Sequence, residues 1–397
     1  MKSLLILFFI LMGKNERGYD KGVSSEGIKG IIDSNNKFGF DLYFNLKDKE
    51  GNIFFSPFSI SSAFLICYEG SRGNTKKEIE NVFGFPPMEN IRRPNFAKIL
   101  NEINKRDKKY ILSSANALWV QKDYKILKEY EEIVKKYYLS EVQNVDFVKE
   151  SEKSRKIINS WVFEKTHGKI KDLIPEGSID VLTRAIITNA IHFKGKWLKK
   201  FDEKNTYEGD FYINENEKIK VFMMKMEKEI FNYYEDEKIQ VLEIPYDGNE
   251  ISIFILLPKS FDINGINDYL NYENFKEIKN KMVKEEIDIH IPRFKLETKY
   301  SLEGILYEMG VKDAFSDIRA DFSGITGKKE LYISKVLHKA FIEVNEEGTE
   351  AAAATGIVME ITAVRPRKVF KADHPFVFII HENKYGNILF FGRIIKP

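Results

Sequence analysis

The chain has 397 residues, 43% hydrophobic and 13% aromatic, enough apolar surface for a large core. Lys and Arg total 62 against 60 Asp and Glu, a net charge of +2, which excludes the strong basic excess of a dedicated nucleic-acid binder. A single cysteine, Cys67, excludes an intrachain disulfide and reads as a buried thiol within an apolar run.

Met1-Lys2-Ser3 followed by apolar Leu4 to Met12 has the make-up of a secretory signal peptide. Residues 1–13 are therefore assigned to a candidate signal and the product to the extracellular side. The run is too short to cross a bilayer, which takes about 20 apolar residues, and no membrane contact is expected. No A-x-A cleavage site follows it, and the alternative is an N-terminal element of the mature fold. Residues 14–28 are polar and Gly-rich and read as a tail. Beyond them there is no linker, repeat or low-complexity block, so residues 29–397 are expected to form one domain.

Ile31, Ile32, Phe38, Leu42 and Leu46 mark an apolar helical stripe. Ser59 to Tyr68 reads as a buried helix. Thr75 and Glu78 have the spacing of a capping box and predict a helix start there. Helical spacing recurs at Phe96, Ile99, Leu100 and Ile103, and at Ile157, Ile158, Trp161 and Val162. From about residue 180 strands dominate. Leu182 to Ile191 predicts a strand buried on both faces. Val241 to Ile244 and Ile251 to Leu257 flank a turn at Tyr246-Asp247-Gly248-Asn249. Ile287, Ile289 and Ile291 alternate with polar residues, and Phe376 to Ile380 and Ile388 to Ile395 form a last pair. The pattern is that of an α+β domain with large sheets.

No G-x-S-x-G elbow, Walker loop, G-x-G-x-x-G or H-E-x-x-H motif is present, and the six histidines lack metal-ligand spacing. No metal, cofactor or enzymatic activity is expected; a triad assembled from distant residues is the remote alternative. The informative stretch is Asn345 to Lys368, too long for an ordinary connection. Taken as a strand, one face carries Thr349, Ala351, Ala353, Thr355, Ile357 and Met359, with no charge. The other carries Glu350 and Glu360. A loop able to become a central strand is a metastable element. The competing reading is a short Ala-rich helix, bounded by Gly348 and Gly356.

Glu346-Glu347-Gly348-Thr349-Glu350-Ala351-Ala352-Ala353-Ala354-Thr355 resembles the hinge of the reactive-centre loop in inhibitory serpins, and Phe370 to Phe378 resembles the serpin signature that follows the loop. Asn52 to Ser59, Asn189 to Trp197 and His338-Lys339-Ala340 resemble further serpin blocks, all in family order. The resemblance implies three β-sheets, eight or nine helices and an exposed reactive-centre loop at about 345–368. It also implies an irreversible suicide-substrate inhibitor of serine proteases, monomeric and kinetically trapped, whose cut loop inserts into the main sheet and arrests the acyl-enzyme.

Counting from Gly348 places the reactive bond at Thr362-Ala363; counting back from Phe370 gives Ile361 or Thr362. Thr362 suits an elastase-like or subtilisin-like protease, while Arg365 and Arg367, suited to trypsin-like enzymes, are expected as secondary contacts. By resemblance, Ser56, Ser59, Asn189 and His338 form the polar cluster where the sheet opens (the shutter). Glu346 and Arg293 form a salt bridge at the loop entry (the breach), with Trp197 nearby. Arg92, Arg93, Lys98, Lys105, Arg106, Lys108 and Lys109 are read as a solvated face, with polysaccharide binding as the lesser alternative. A non-inhibitory serpin, acting as carrier, chaperone or storage protein, is the alternative function. Small hinge residues favour inhibition over it.

Overall fold

The computed structural model describes residues 21–105, 107–349 and 368–397. The candidate signal at 1–13, residues 14–20 of the expected tail, and loop positions 350–367 lie outside the described residues.

Nine α-helices occur among the described residues. Helix α1, Ser25–Leu46, is capped by Ser24, whose Oγ accepts a hydrogen bond from the Gly27 N–H at 3.0 Å. It buries Ile31, Ile32, Phe38, Leu42 and Leu46, the expected stripe. Residues 25–28, assigned above to the tail, belong to this helix instead, because the Ser24 cap starts it four residues earlier. Helix α2, Pro57–Gly70, is buried on every side. Helix α3, Gly73–Phe83, corrects the capping-box expectation: its N-cap is Arg72, with no side-chain cap. Thr75 Oγ1 instead accepts from the Asp321 N–H, and Glu78 from the Lys312 and Asp313 N–H groups. Both side chains satisfy a neighbouring segment rather than their own helix. The remaining helices are α4 (Glu89–Ile103), α5 (Lys128–Tyr138), α6 (Ser151–Lys165), α7 (Tyr272–Lys281), α8 (Glu303–Met309) and α9 (Ser323–Thr326).

The strands in chain order are β1 (Ile53–Phe55), β2 (Tyr110–Gln121), β3 (Glu141–Val145), β4 (Ala185–Lys196), β5 (Tyr207–Tyr212), β6 (Lys218–Glu235), β7 (Ile239–Pro245) and β8 (Ile251–Pro258). They continue as β9 (Val283–Pro292), β10 (Phe294–Ser301), β11 (Lys335–Asn345), β12 (Gly348–Thr349), β13 (Lys368–Lys371), β14 (Phe376–Glu382) and β15 (Asn387–Ile394). Strand β4 begins at Ala185, not Leu182, because Asp180 and Thr183 close a turn that leaves Leu182 65% exposed.

Hydrogen bonding joins the strands into a six-stranded sheet, β10-β11-β12-β4-β2-β3, and a nine-stranded one, β1-β15-β14-β8-β7-β6-β9-β13 with β5 on β6. The long strand β6 merges two of the three expected sheets. Its first part pairs with β5 and its last part with β7, and an irregularity between Met226 and Glu229 separates them.

The central strands of the six-stranded sheet are buried on both faces over most of their length. One face packs Ile187, Ile191, Phe193, Val336, Ala340 and Ile342 into the main core. The other packs Ala115, Ala117, Trp119, Ile186, Ala190, Leu337 and Phe341 under α6 and the segment after it, through Ile158, Val162, Ile170, Leu173 and Ile174. Strands β4 and β11 are parallel neighbours from Ile186/Lys335 to His192/Phe341. Past that point they take β12 between them.

Candidate functional site

The hinge enters the sheet at its upper end. Gly348 pairs with Asn345 on one side and Lys196 on the other, and Thr349 with Val344 and Gly195. Gly348 has φ +145°, and a Cβ there would meet the Gly195 carbonyl oxygen at 2.1 Å and Lys196 Cα at 2.6 Å. Glycine is therefore the residue this approach requires. Thr349 is fully buried, and its hydroxyl is 2.8 Å from the Tyr246 hydroxyl. The other hinge positions, Glu350, Ala351, Ala352, Ala353, Ala354 and Thr355, and the expected bond at Thr362-Ala363, lie outside the described residues.

Just before the slot, Glu346 is 2% exposed and receives Arg293 Nε at 2.8 Å and Nη2 at 2.7 Å, with Thr206 Oγ1 also donating. Trp197 Nε1 donates to the Asn345 carbonyl at 2.8 Å, and the Trp197 N–H to the Glu347 carbonyl at 2.9 Å. The three residues expected at the loop entry are thus brought together. Burial pushes the Glu346 carboxyl up, but the Arg293 and Thr206 hydrogen bonds outweigh it and hold the group below its ordinary range. Its contribution is therefore complete above the unfolded value of about 4.3 and is lost as pH falls through the lower folded value. Acidification through that lower value should release the 345–349 segment to limited proteolysis. Arg293→Met should move the release to higher pH.

Below the slot, Ser56, Ser59, Asn189 and His338 meet in one buried cluster. Asn189 and His338 are register partners across β4 and β11, and His338 Nδ1 hydrogen-bonds Asn189 Oδ1. His338 Nε2 accepts from the Ser56 N–H at 3.2 Å, which makes Nδ1 the protonated nitrogen. Asn189 Nδ2 donates to Ser59 Oγ, and Ser56 Oγ donates to the Leu389 carbonyl at 2.6 Å. Ser56 also caps α2, accepting from the Ser59 N–H at 3.1 Å. Asn116, opposite Asn189 on β2, completes the cluster by accepting from Asn189 Nδ2. Sequence reasoning missed it, although an Asn flanked by alanines in a buried strand was a readable signal. Burial depresses the His338 imidazole to about 3, so the ring is neutral.

The basic cluster is not a solvated face throughout. Arg92 is 0% exposed and pairs with Glu69 Oε1 at 2.8 Å, while Arg93 pairs with Glu69 Oε2 at 2.7 Å. Tyr138 donates to the same carboxylate, so α2, α4 and α5 share one buried charge. Lys105 pairs with Glu102, and Lys108 with Glu102 and Glu250; Lys98 is half-buried, Lys109 is exposed, and Arg106 lies outside the described residues. Glu69→Gln leaves the fully buried Arg92 guanidinium without its counter-charge, while Arg93 keeps its pair with Glu89. It should cost about 3–5 kcal/mol in urea unfolding at neutral pH.

The sequence profile of the family described as "Serpin (serine protease inhibitor)" matches residues 33–397. An uncharacterized serpin-like protein of Methanosarcina mazei is 43% identical, over 94% of this chain and 90% of the relative. Human leukocyte elastase inhibitor is 41% identical, over 92% of this chain and 99% of its own length. The crystal structure of Serpin48 from the insect Tenebrio molitor, titled a highly specific serpin, superposes with a TM-score of 0.82 at 33% identity, over 92% of this chain and 98% of that one. With the profile spanning nearly the whole chain and relatives above 40% identity matched along their length, the chain belongs to the serpins, a family of serine protease inhibitors.

Proposed function

We propose that the chain inhibits a serine protease as a suicide substrate cut at Thr362-Ala363. The protease serine Oγ attacks the Thr362 carbonyl carbon. The Thr362–Ala363 C–N bond breaks, the Ala363 nitrogen leaves with a proton, and Thr362 stays esterified to the protease. Insertion of residues 350 onward between β4 and β11 then competes with hydrolysis of that ester. The observation that carries the reading is the seat of Gly348 and Thr349 between β4 and β11, hydrogen-bonded to both. A strand nucleus is already in place, so each further residue adds backbone bonds worth roughly 0.5–1.5 kcal/mol net without a new loop-closure cost.

The small Thr362 side chain fits an elastase-like or subtilisin-like pocket, and the human relative's name, leukocyte elastase inhibitor, supports the first. The burial of Arg92 and the pairing of Arg93 weigh against a polysaccharide partner on α4. The run Leu4 to Met12 carries a proposal of export, checked by N-terminal sequencing of the protein recovered outside the cell.

The test is to mix the protein with an elastase-like, a subtilisin-like and a trypsin-like protease and follow denaturing gels with mass spectrometry. A detergent-stable complex with a released peptide beginning at Ala363 is the expected result. Cleavage in the loop with no complex, across a broad panel, would replace this reading with a non-inhibitory one.

A further inference from the structure

We propose that Tyr246 is a positioning residue that pins Thr349 between β4 and β11 and so sets the register in which the loop enters the sheet. The role within inhibition rests on the function proposed above; the pin itself does not.

Tyr246 directly follows β7 of the other sheet, yet it reaches the hinge. Its ring is held rigidly, stacked on Trp197 at 4.5 Å and 21° and edge-on to Phe193 at 5.0 Å and 85°. Its backbone is fixed too: its N–H donates to the Ile251 carbonyl at 2.9 Å, and it forms an isolated bridge with Trp197. The hydroxyl therefore has one place to be, 2.8 Å from Thr349 Oγ1, with both residues almost wholly buried. A buried hydroxyl facing another is satisfied only while both stay in place.

That pairing discriminates between registers. A slip of one residue would turn the loop's other face toward the ring and present Gly348 or Glu350. A slip of two would present Glu347, a charge, or Ala351, which has no hydroxyl. Among these neighbours Thr349 alone matches the phenol. Gly348, the residue before it, is the one that the tight backbone approach to Gly195 demands. Two independent features, one steric and one polar, select the same register.

The experiment compares wild type, Tyr246→Phe, Thr349→Ser and the double variant Tyr246→Phe/Thr349→Val. Hydrogen exchange at the Trp197 and Phe201 amides reports the seat directly, because they donate to the Glu347 and Glu346 carbonyls. Tyr246→Phe keeps the ring stack but leaves the Thr349 hydroxyl unpaired, and should speed exchange at these amides on the order of tenfold. Thr349→Ser should leave exchange at the wild-type rate. The double variant, with neither hydroxyl, should recover most of the protection. Unchanged exchange in Tyr246→Phe would overturn the pin.

The second readout is the number of inhibitor molecules consumed per protease trapped, which compares insertion with hydrolysis. It should rise several-fold in Tyr246→Phe and fall back in the double variant. Faster exchange with an unchanged ratio would overturn the positioning role. If wild type traps no protease, the inhibitory reading fails, while the exchange data still decide whether the pin exists.

Discussion

Replacing Thr349 by arginine should turn protease capture into plain cleavage. Thr349 is fully buried at the mouth of the β4–β11 seam, against Tyr246. A guanidinium there would be desolvated with no carboxylate in the slot, a cost of several kcal/mol that keeps the hinge out. The rest of the fold does not depend on this seat, because β4 and β11 pair directly from Ile186/Lys335 to His192/Phe341. The variant should therefore fold and present its loop. On denaturing gels with a protease that wild type traps, the complex band should vanish and the cleaved chain accumulate. Capture at the wild-type yield would show that trapping does not pass through this slot.

The seated residues also specify what the inserted strand should meet. On insertion as proposed, continuing their register down β4 and β11 would bring Thr355 between Asn189 and His338, replacing the bond those two now share. The same register would set Glu350 opposite Lys194 and Glu360 opposite Arg184. Both loop carboxylates would then face cations, one on β4 and one just before it, an arrangement that favours insertion. Glu360→Lys should consequently raise the fraction of inhibitor lost as substrate, through the like charge at Arg184.

Lowering the pH from 7 toward 4 should destabilise the uncut protein, and His338→Gln should remove about one proton from that dependence. Burial holds His338 at about 3 and His381 also at about 3, against an unfolded value near 6.5. Between those limits the unfolded chain binds the extra protons. Stability is therefore complete above about 6.5 and falls as pH drops, by roughly 1.4 kcal/mol per pH unit for each histidine. The geometry gives the reason at His338: Nε2 must accept from the Ser56 N–H, and a proton there would set donor against donor. Gln can accept from Ser56 and donate to Asn189 without titrating. Urea midpoints between pH 7 and 4.5 would measure the slope. A slope unchanged by His338→Gln would mean that this imidazole is protonated in the folded state.

Periodicity was enough to find α1, α2 and the strand pairs around Tyr246 and Asn383, because each depends on local apolar spacing that the folded core then uses. The uncharged alternate face of residues 349–359 could be read for the same reason, because it is a property of neighbouring residues along one segment. Local pattern misled where a side chain serves a distant partner. Thr75 and Glu78 have the spacing of a cap but hold the 312–321 segment. Arg92 and Arg93 look like surface charge until Glu69, more than twenty residues away, is folded against them.

The sequence by itself determined the family resemblance, the uncharged alternate face of the loop and the polar residues of the cluster. Only the tertiary structure decided that Asn116 joins that cluster, that Gly348 and Thr349 already sit between β4 and β11, and that Tyr246 meets them there. Apart from the short pairing of β12 with β11, those facts are contacts between segments about seventy residues or more apart in the chain. Their energies come from burial and hydrogen bonding that exist only once both sheets have formed.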